Sequence, residues 1–326
     1  MGSRALCKSN EMTLIFTTPK IKMNVSMKKI KVFAFTVFLL SAFLVRAQED
    51  YAFRVLANKG ANEVKSGDTW QPLKTGTQLK VGDELKISDN ASVGLVSRNG
   101  KPLEVKEAKI HKVVELLSKV GSDISVLNKY TDFILSSNSA EAKKNRLSAT
   151  GAVHRGLDDI KVFLPDGKLS DVFNTTVIIR WHSEKAVAPY VLSLRNRFNE
   201  DLLKIETTEN FAMVDLADPK LAKEDMMLLE VKSKTDGKSK SEQFLIKRLS
   251  PARIEAVKAD LNKIIVDLKE ETAFNKYLLT GFYEDHKLLI DAITCYEQAM
   301  KLDAENPTYK EAYEEFLLRN KIKAEK

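Results

Sequence analysis

Val93-Gly94-Leu95-Val96-Ser97-Arg98-Asn99-Gly100-Lys101-Pro102-Leu103-Glu104-Val105 decides how the chain begins to fold. Asn99-Gly100 sits between two apolar runs, and Asn-Gly supplies the two positive-φ residues of a tight hairpin turn. The same pattern extends upstream. Phe53–Ala57 alternates, Asn62–Lys65 follows a Lys59-Gly60 break, and Gly, Asn and Asp punctuate the rest. Residues 51–107 therefore read as a small all-β domain.

Beyond Glu107 the apolar period changes. Val113, Val114, Leu116, Leu117 and Val120 recur at helical spacing, as do Leu127, Tyr130, Phe133 and Ile134. Ser136–Thr150 (SSNSAEAKKNRLSAT) is polar, and it reads as a mobile linker within a helical segment over residues 108–157. Strands return between Ile160 and Arg248. The candidates are Lys161–Leu164, Thr176–Trp181, Tyr190–Leu194, Leu202–Glu206, Ala212–Leu216, Met227–Lys232 and Gln243–Lys247. Short strands separated by turns such as Pro165-Asp166-Gly167 and Asp236-Gly237 predict an antiparallel sandwich over residues 158–249, with Trp181 and Tyr190 in its core. Ser250-Pro251, an N-cap followed by proline at the first helical position, opens a helical domain over residues 251–324.

The N-terminus carries a different message. Val32–Val45 (VFAFTVFLLSAFLV) is uncharged, follows Met27-Lys28-Lys29-Ile30-Lys31 and ends at Val45-Arg46-Ala47. A basic flank, a short apolar run and small residues at −3 and −1 make a secretory signal over residues 1–47, cleaved between Ala47 and Gln48. The run is shorter than the ~20 residues of a membrane span. Residues 1–26 are unusual ahead of a signal, which points to Met27 or Met23 as the true start. The chain has a net charge of +7, but eight of its 52 basic and one of its 45 acidic residues lie in the leader, leaving 44 of each. A neutral mature chain removes the electrostatic case for nucleic acid. Cys7 leaves with the leader, so Cys295 is the one remaining thiol and no internal disulfide is expected.

Two stretches resemble known families. VLANKGANEV from Val55, Trp70-Gln71-Pro72-Leu73, Gly76–Asp83, Ser92–Val96, Asn99-Gly100 and Leu103–Val105 together resemble the FecR domain of bacterial envelope proteins. The resemblance implies paired short strands with Trp70 and Leu73 packed inside. The family is known from transducers that control a sigma factor, but only 31 residues precede the apolar run, too few for their cytoplasmic regulatory segment. Leu279, Tyr283, Ala292, Tyr296 and Ala299 resemble a tetratricopeptide repeat, with Thr280 and Ala304 where that repeat has Gly and Pro. A single unit is too little to be stable alone. It must lean on the Ile254–Leu268 helix, on the sandwich or on another chain.

Markers of catalysis are missing. His111, His154, His182 and His286 fall in separate segments without metal-ligand spacing, and no phosphate loop or nucleophile elbow is present. Catalytic, metal and cofactor residues are therefore read as none. Glu270-Glu271, Glu284-Asp285 and Glu314-Glu315 read as solvated helix faces, Cys295 as a buried inert thiol, and Trp181 as core. Trp70 is weighed as core against an exposed aromatic that contacts carbohydrate or peptide. One repeat cannot bury every aromatic, so Tyr277, Phe282, Tyr309 and Tyr313 form the candidate protein-binding surface.

The expected architecture is multidomain and mainly β: a FecR-like β-domain, an immunoglobulin- or fibronectin-like sandwich and a C-terminal all-α tetratricopeptide-like unit. The expected protein is periplasmic or extracellular and not an enzyme. It would be a scaffold or adaptor for other envelope proteins or cell-wall glycan, with no stable membrane span once the leader is cut. The alternatives are a FecR-type transducer anchored to the inner membrane by an uncleaved leader, and a periplasmic hydrolase.

Overall fold

The computed structural model describes residues 51–149, 160–165, 169–183, 185–236 and 238–322. The leader, with Ala47, Gln48 and the proposed cleavage, lies outside them. So do His154 and the second half of the Pro165-Asp166-Gly167 turn.

Eight strands form the N-terminal part: β1 (Phe53–Lys59), β2 (Glu63–Ser66), β3 (Thr69–Pro72), β4 (Gln78–Leu79), β5 (Glu84–Lys86), β6 (Ser92–Ser97), β7 (Pro102–Val105) and β8 (Ile110–Lys112). They make two antiparallel sheets, β4-β1-β6-β7 and β3-β2-β5-β8. The Asn99-Gly100 turn joins β6 to β7 as expected, with Val93 opposite Val105, but of the pair only Gly100, at φ 82°, takes a positive φ. Phe53, Val55, Val93 and Leu95 meet Val64 and Leu85 in one core.

β6 is buried along its whole length because its sheet is covered on both faces. The β1–β6 register skips at Leu56, a bulge that changes which β1 side chains face inward. Leu56, Ala57 and Val96 leave the β core and join a second, mainly helical core.

That core is built from helices α2 (Asn128–Ser137), α4 (Pro251–Ile265), α5 (Ala273–Asp285), α6 (Leu289–Leu302) and α7 (Pro307–Arg319). Between them in the chain lie the shorter α1 (Val113–Lys119) and α3 (Ala140–Ala149). α5 and α6 form the expected antiparallel hairpin. Thr272 caps α5 by accepting the Asn275 amide at 3.1 Å, and Asn306 caps α7 by accepting the Thr308 amide at 3.2 Å. Two glycines permit the close approaches. A Cβ on Gly94 would lie 2.4 Å from the Phe274 ring of α5, and one on Gly281 of α5 would lie 2.9 Å from Ile134 of α2.

The polar stretch expected to be a mobile linker instead contains α3. Its sequence, AEAKKNRLSA, is dominated by good helix formers. The Ser139 hydroxyl accepts the Ala142 amide at its start.

The second β part has β9 (Ile160–Val162), β10 (Leu169–Val172), β11 (Thr176–Ser183), β12 (Tyr190–Arg195), β13 (Asp201–Thr207), β14 (Phe211–Asp215), β15 (Met226–Ser233) and β16 (Phe244–Arg248). Their sheets, β10-β16-β15-β12-β13 and β14-β11-β9, share one core. Within it Trp181 and Tyr190 meet edge to face at 5.6 Å, as expected of a core pair. β10 was not expected. It pairs in parallel with β16, placing Val172 opposite Arg248.

The protein is thus mixed and mainly β, with helices concentrated toward the C-terminus. From Tyr51 onward it forms one compact unit.

Candidate functional site

The aromatics expected to form a protein-binding surface do not form one. Tyr277, Phe282, Tyr309 and Tyr313 are each at most 4% exposed. Tyr277 meets Tyr309 at 5.3 Å, Phe282 meets Tyr130 of α2 at 5.2 Å, and Tyr313 stacks on Tyr296 at 5.3 Å. A lone hairpin would leave such rings exposed, but α2, α7 and β6 cover α5 from several sides, so these four residues belong to the core.

Trp70 is the converse case. The FecR resemblance put it inside with Leu73. Leu73 is buried, but Trp70 is only half-buried on β3, the edge strand of its sheet. Strand register decides this. Val64, Leu85 and His111 lie side by side facing the core, so the alternate positions face out. One outward row runs Trp70, Lys65, Glu84, Lys112, and the next runs Pro72, Glu63, Lys86, Ile110. The Lys65 and Lys86 ammonium groups stand 6.0 and 5.9 Å from the indole centroid, and Lys86 also pairs with Glu63 at 2.8 Å. The result is an aromatic plane flanked by two cations on a sheet whose other face is packed. Glu63-Val64-Lys65 and Glu84-Leu85-Lys86 carry the charge–apolar–charge alternation of half-exposed strands. That signal was available, but the placement of Trp70 beside them depends on pairing.

Charged side chains join the two β parts to the helices. Asn58 donates its amide to the Thr308 hydroxyl at 3.1 Å, Lys59 pairs with Asp303 at 2.8 Å and Lys101 with Asp267 at 2.7 Å. Arg54 pairs with Asp132. On the other side Arg180 of β11 grips Glu297 of α6 with two guanidinium nitrogens. Glu284, read from sequence as part of a solvated face, is buried. It receives Arg319 at 2.6 and 2.5 Å, together with the Asn320 amide at 2.9 Å. Arg319 in turn donates to Asn138 beyond the end of α2. Burial without such partners would be costly for either charge.

The β10–β11 turn is held on α6 by Asp291, whose carboxylate accepts the Phe173 and Asn174 amides at 3.0 and 2.8 Å. Burial pushes its carboxyl up to about 6 despite those two donors. Thr294 accepts the Ile178 amide at 2.9 Å, and Tyr283 donates to Asn174 at 3.3 Å. Beside this anchorage, between α5, α6 and the turn, opens a cleft of about 230 Å³. Asn174, Thr175, Thr176, Lys276 and Gln298 line it, over Leu279, Tyr283 and Cys295. Cys295 is buried as expected, and burial pushes its thiol up to about 12.

The described histidines stay apart. His111 bonds the Glu107 carbonyl at 2.8 Å, His286 the Phe282 carbonyl at 2.9 Å, and His182 is exposed on β11. Among the described residues no three His, Cys, Asp or Glu side chains gather as a metal site, and no helix is long and apolar enough to cross a membrane.

Compared with known proteins, the chain matches no family model and no curated protein. One solved structure that it matches is described as a "Ca2+-stabilized adhesin" that "helps an Antarctic bacterium reach out and bind ice". The identity is 8%, with 60% of this chain and 42% of that one covered and a TM-score of 0.19. At that score the likeness carries no argument.

Proposed function

We propose that this chain is an exported, non-catalytic envelope protein that acts as a scaffold for other envelope proteins or cell-wall glycan. In this reading residues 51–107 are a FecR-like domain, residues 158–249 an immunoglobulin- or fibronectin-like sandwich and residues 251–324 a tetratricopeptide-like unit. The leader pattern supports export to the periplasm or beyond. The observation that carries the binding role is Trp70, half-buried on an outward sheet face with Lys65 and Lys86 beside its ring. An indole plane with neighbouring donors suits the flat face of a sugar or a peptide group, and aromatics of this kind dominate binding energies where they are anchors. The helical unit braces the other sheet of that β part, β4-β1-β6-β7, through Asn58, Lys59 and Lys101, and its own aromatics are buried in its core.

Two assays test this: co-sedimentation with purified cell-wall sacculi, and cross-linking to envelope proteins. Both compare the full chain with its Trp70→Ser variant. The variant should bind about tenfold more weakly in one of them, equivalent to ~1.4 kcal/mol, with its melting temperature unchanged. Equal binding in both assays would overturn the proposal.

A further inference from the structure

The cleft between the helical hairpin and the β10–β11 turn plays no part in the Trp70 reading. Its walls are fixed from behind. Asp291 and Thr294 hold the turn and the start of β11 against α6, so the opening does not depend on a mobile loop. Its floor is uncharged, made by the buried Leu279, Tyr283 and Cys295. Its rim is polar and underused. The side chains of Thr175, Thr176 and Gln298 make no hydrogen bond to described residues.

Among the described residues the rim has one cation, Lys276. The Lys276 side chain is 17% exposed, and its ammonium pairs at 2.5 Å with Glu271, whose own side chain is 82% exposed. A carboxylate so open to water is a weak, screened partner that a better-placed anion can displace. The cleft's volume of about 230 Å³ lies below the ~300–1,000 Å³ of sites for drug-sized ligands. Its occupant must therefore be small.

We infer that this cleft is a binding site for a monosaccharide-sized hydroxy-carboxylate. Its carboxylate would replace Glu271 on Lys276, and its hydroxyls would meet Thr175, Thr176 and Gln298. The carbon skeleton would lie on Leu279 and Tyr283. No covalent step is involved. Cys295 keeps its proton and acts as part of the wall.

Calorimetric titration of the full-length protein with D-glucuronate and with D-glucuronamide tests the inference, because the two probes differ only at the charged group. Glucuronate should bind about tenfold more tightly than the amide, the factor expected of one ~1.4 kcal/mol ionic contact. Lys276→Met keeps the aliphatic stem and should erase that difference. Glu271→Gln removes the competing carboxylate and should tighten glucuronate binding, whereas loss of a purely structural pair would not. Equal affinity for the two probes would overturn the inference. So would failure of glucuronate to bind, or an unchanged affinity in both Lys276→Met and Glu271→Gln. The outcome is independent of Trp70, so either reading can fail alone.

Discussion

Gly94→Ala is the sharpest probe of how the β and helical parts are joined. The new methyl carbon would lie 2.4, 2.5 and 2.9 Å from three carbons of the Phe274 ring, well inside the ~3.5–4.0 Å of favourable carbon contact. Neither side can yield easily. β6 is buried on both faces, and Phe274 is fully buried in the helical core. Overpacking of this kind costs roughly 1–3 kcal/mol. For a chain of this size that is a fall of about 2–12 °C in melting temperature. The chain has two tryptophans, Trp70 in the first β part and Trp181 in the second, so fluorescence in urea can follow each region after the other residue is changed to Phe. If the helices join both regions, Gly94→Ala should shift the Trp181 transition along with the Trp70 transition. Phe274→Leu should relieve the clash, so that the double variant is more stable than the sum of single effects predicts, by about 0.5–3 kcal/mol. A near-neutral Gly94→Ala or strict additivity would refute the contact. A Trp181 transition that stays put would refute the coupling.

Asp291 makes a prediction with a definite sign. Its folded carboxyl lies near 6, above its ordinary 3.8, so the group stabilises the fold at low pH and loses that contribution as pH rises through 6. The difference corresponds to about 3 kcal/mol, so urea unfolding should show the advantage of wild type over Asp291→Asn narrowing between pH 4 and 7; a widening gap would contradict this. Glu284→Gln leaves Arg319 without its buried carboxylate and should cost about 3–5 kcal/mol in chemical denaturation, with Arg319→Met in the same background recovering part of the loss. In a Cys7→Ser background, a thiol reagent at pH 8 should modify Cys295 only on unfolding. Fast labelling of the native protein would show that the thiol is neither buried nor raised. N-terminal sequencing of the envelope form should begin at Gln48, and an intact leader would favour the anchored alternative.

Local pattern made much of the fold legible. The Asn99-Gly100 hairpin and seven of the eight strands between Ile160 and Arg248 need only alternation and turn chemistry, and each of those seven lies within two residues of its expected place. β10 escaped because its partner, β16, is far along the chain and parallel, and a short Leu-Ser-Asp-Val stretch does not announce such pairing. The outward position of Trp70 is not legible, because inside and outside on an edge strand depend on register, which one strand cannot reveal. The burial of the four aromatics is hidden in the sequence for a related reason. Whether α5 shows a surface depends on what covers it, and α2 and β6 come from distant sequence. Gly94 within a strand and Gly281 within a helix carry the local hint, since glycine there often marks a close neighbour. Asp291 and Glu284 resemble surface carboxylates until their donors, Asn174 and Arg319, are brought to them.

The bond between Asn58 and Thr308 spans 250 positions of sequence, and it bears on the order of assembly. A chain made from its N-terminus completes β1 and β6 long before the helices that cover their outer face exist. Until Phe274 and its neighbours arrive, Leu56, Gly94 and Val96 present an open apolar strand face, the kind of surface that invites aggregation. Late closure of distant contacts also slows folding. A truncated chain ending near Ser250 would keep that face open permanently. A binding defect in such a truncation would then report an unfinished β-sheet as readily as a lost helical partner site, so point substitutions are the cleaner way to dissect this protein.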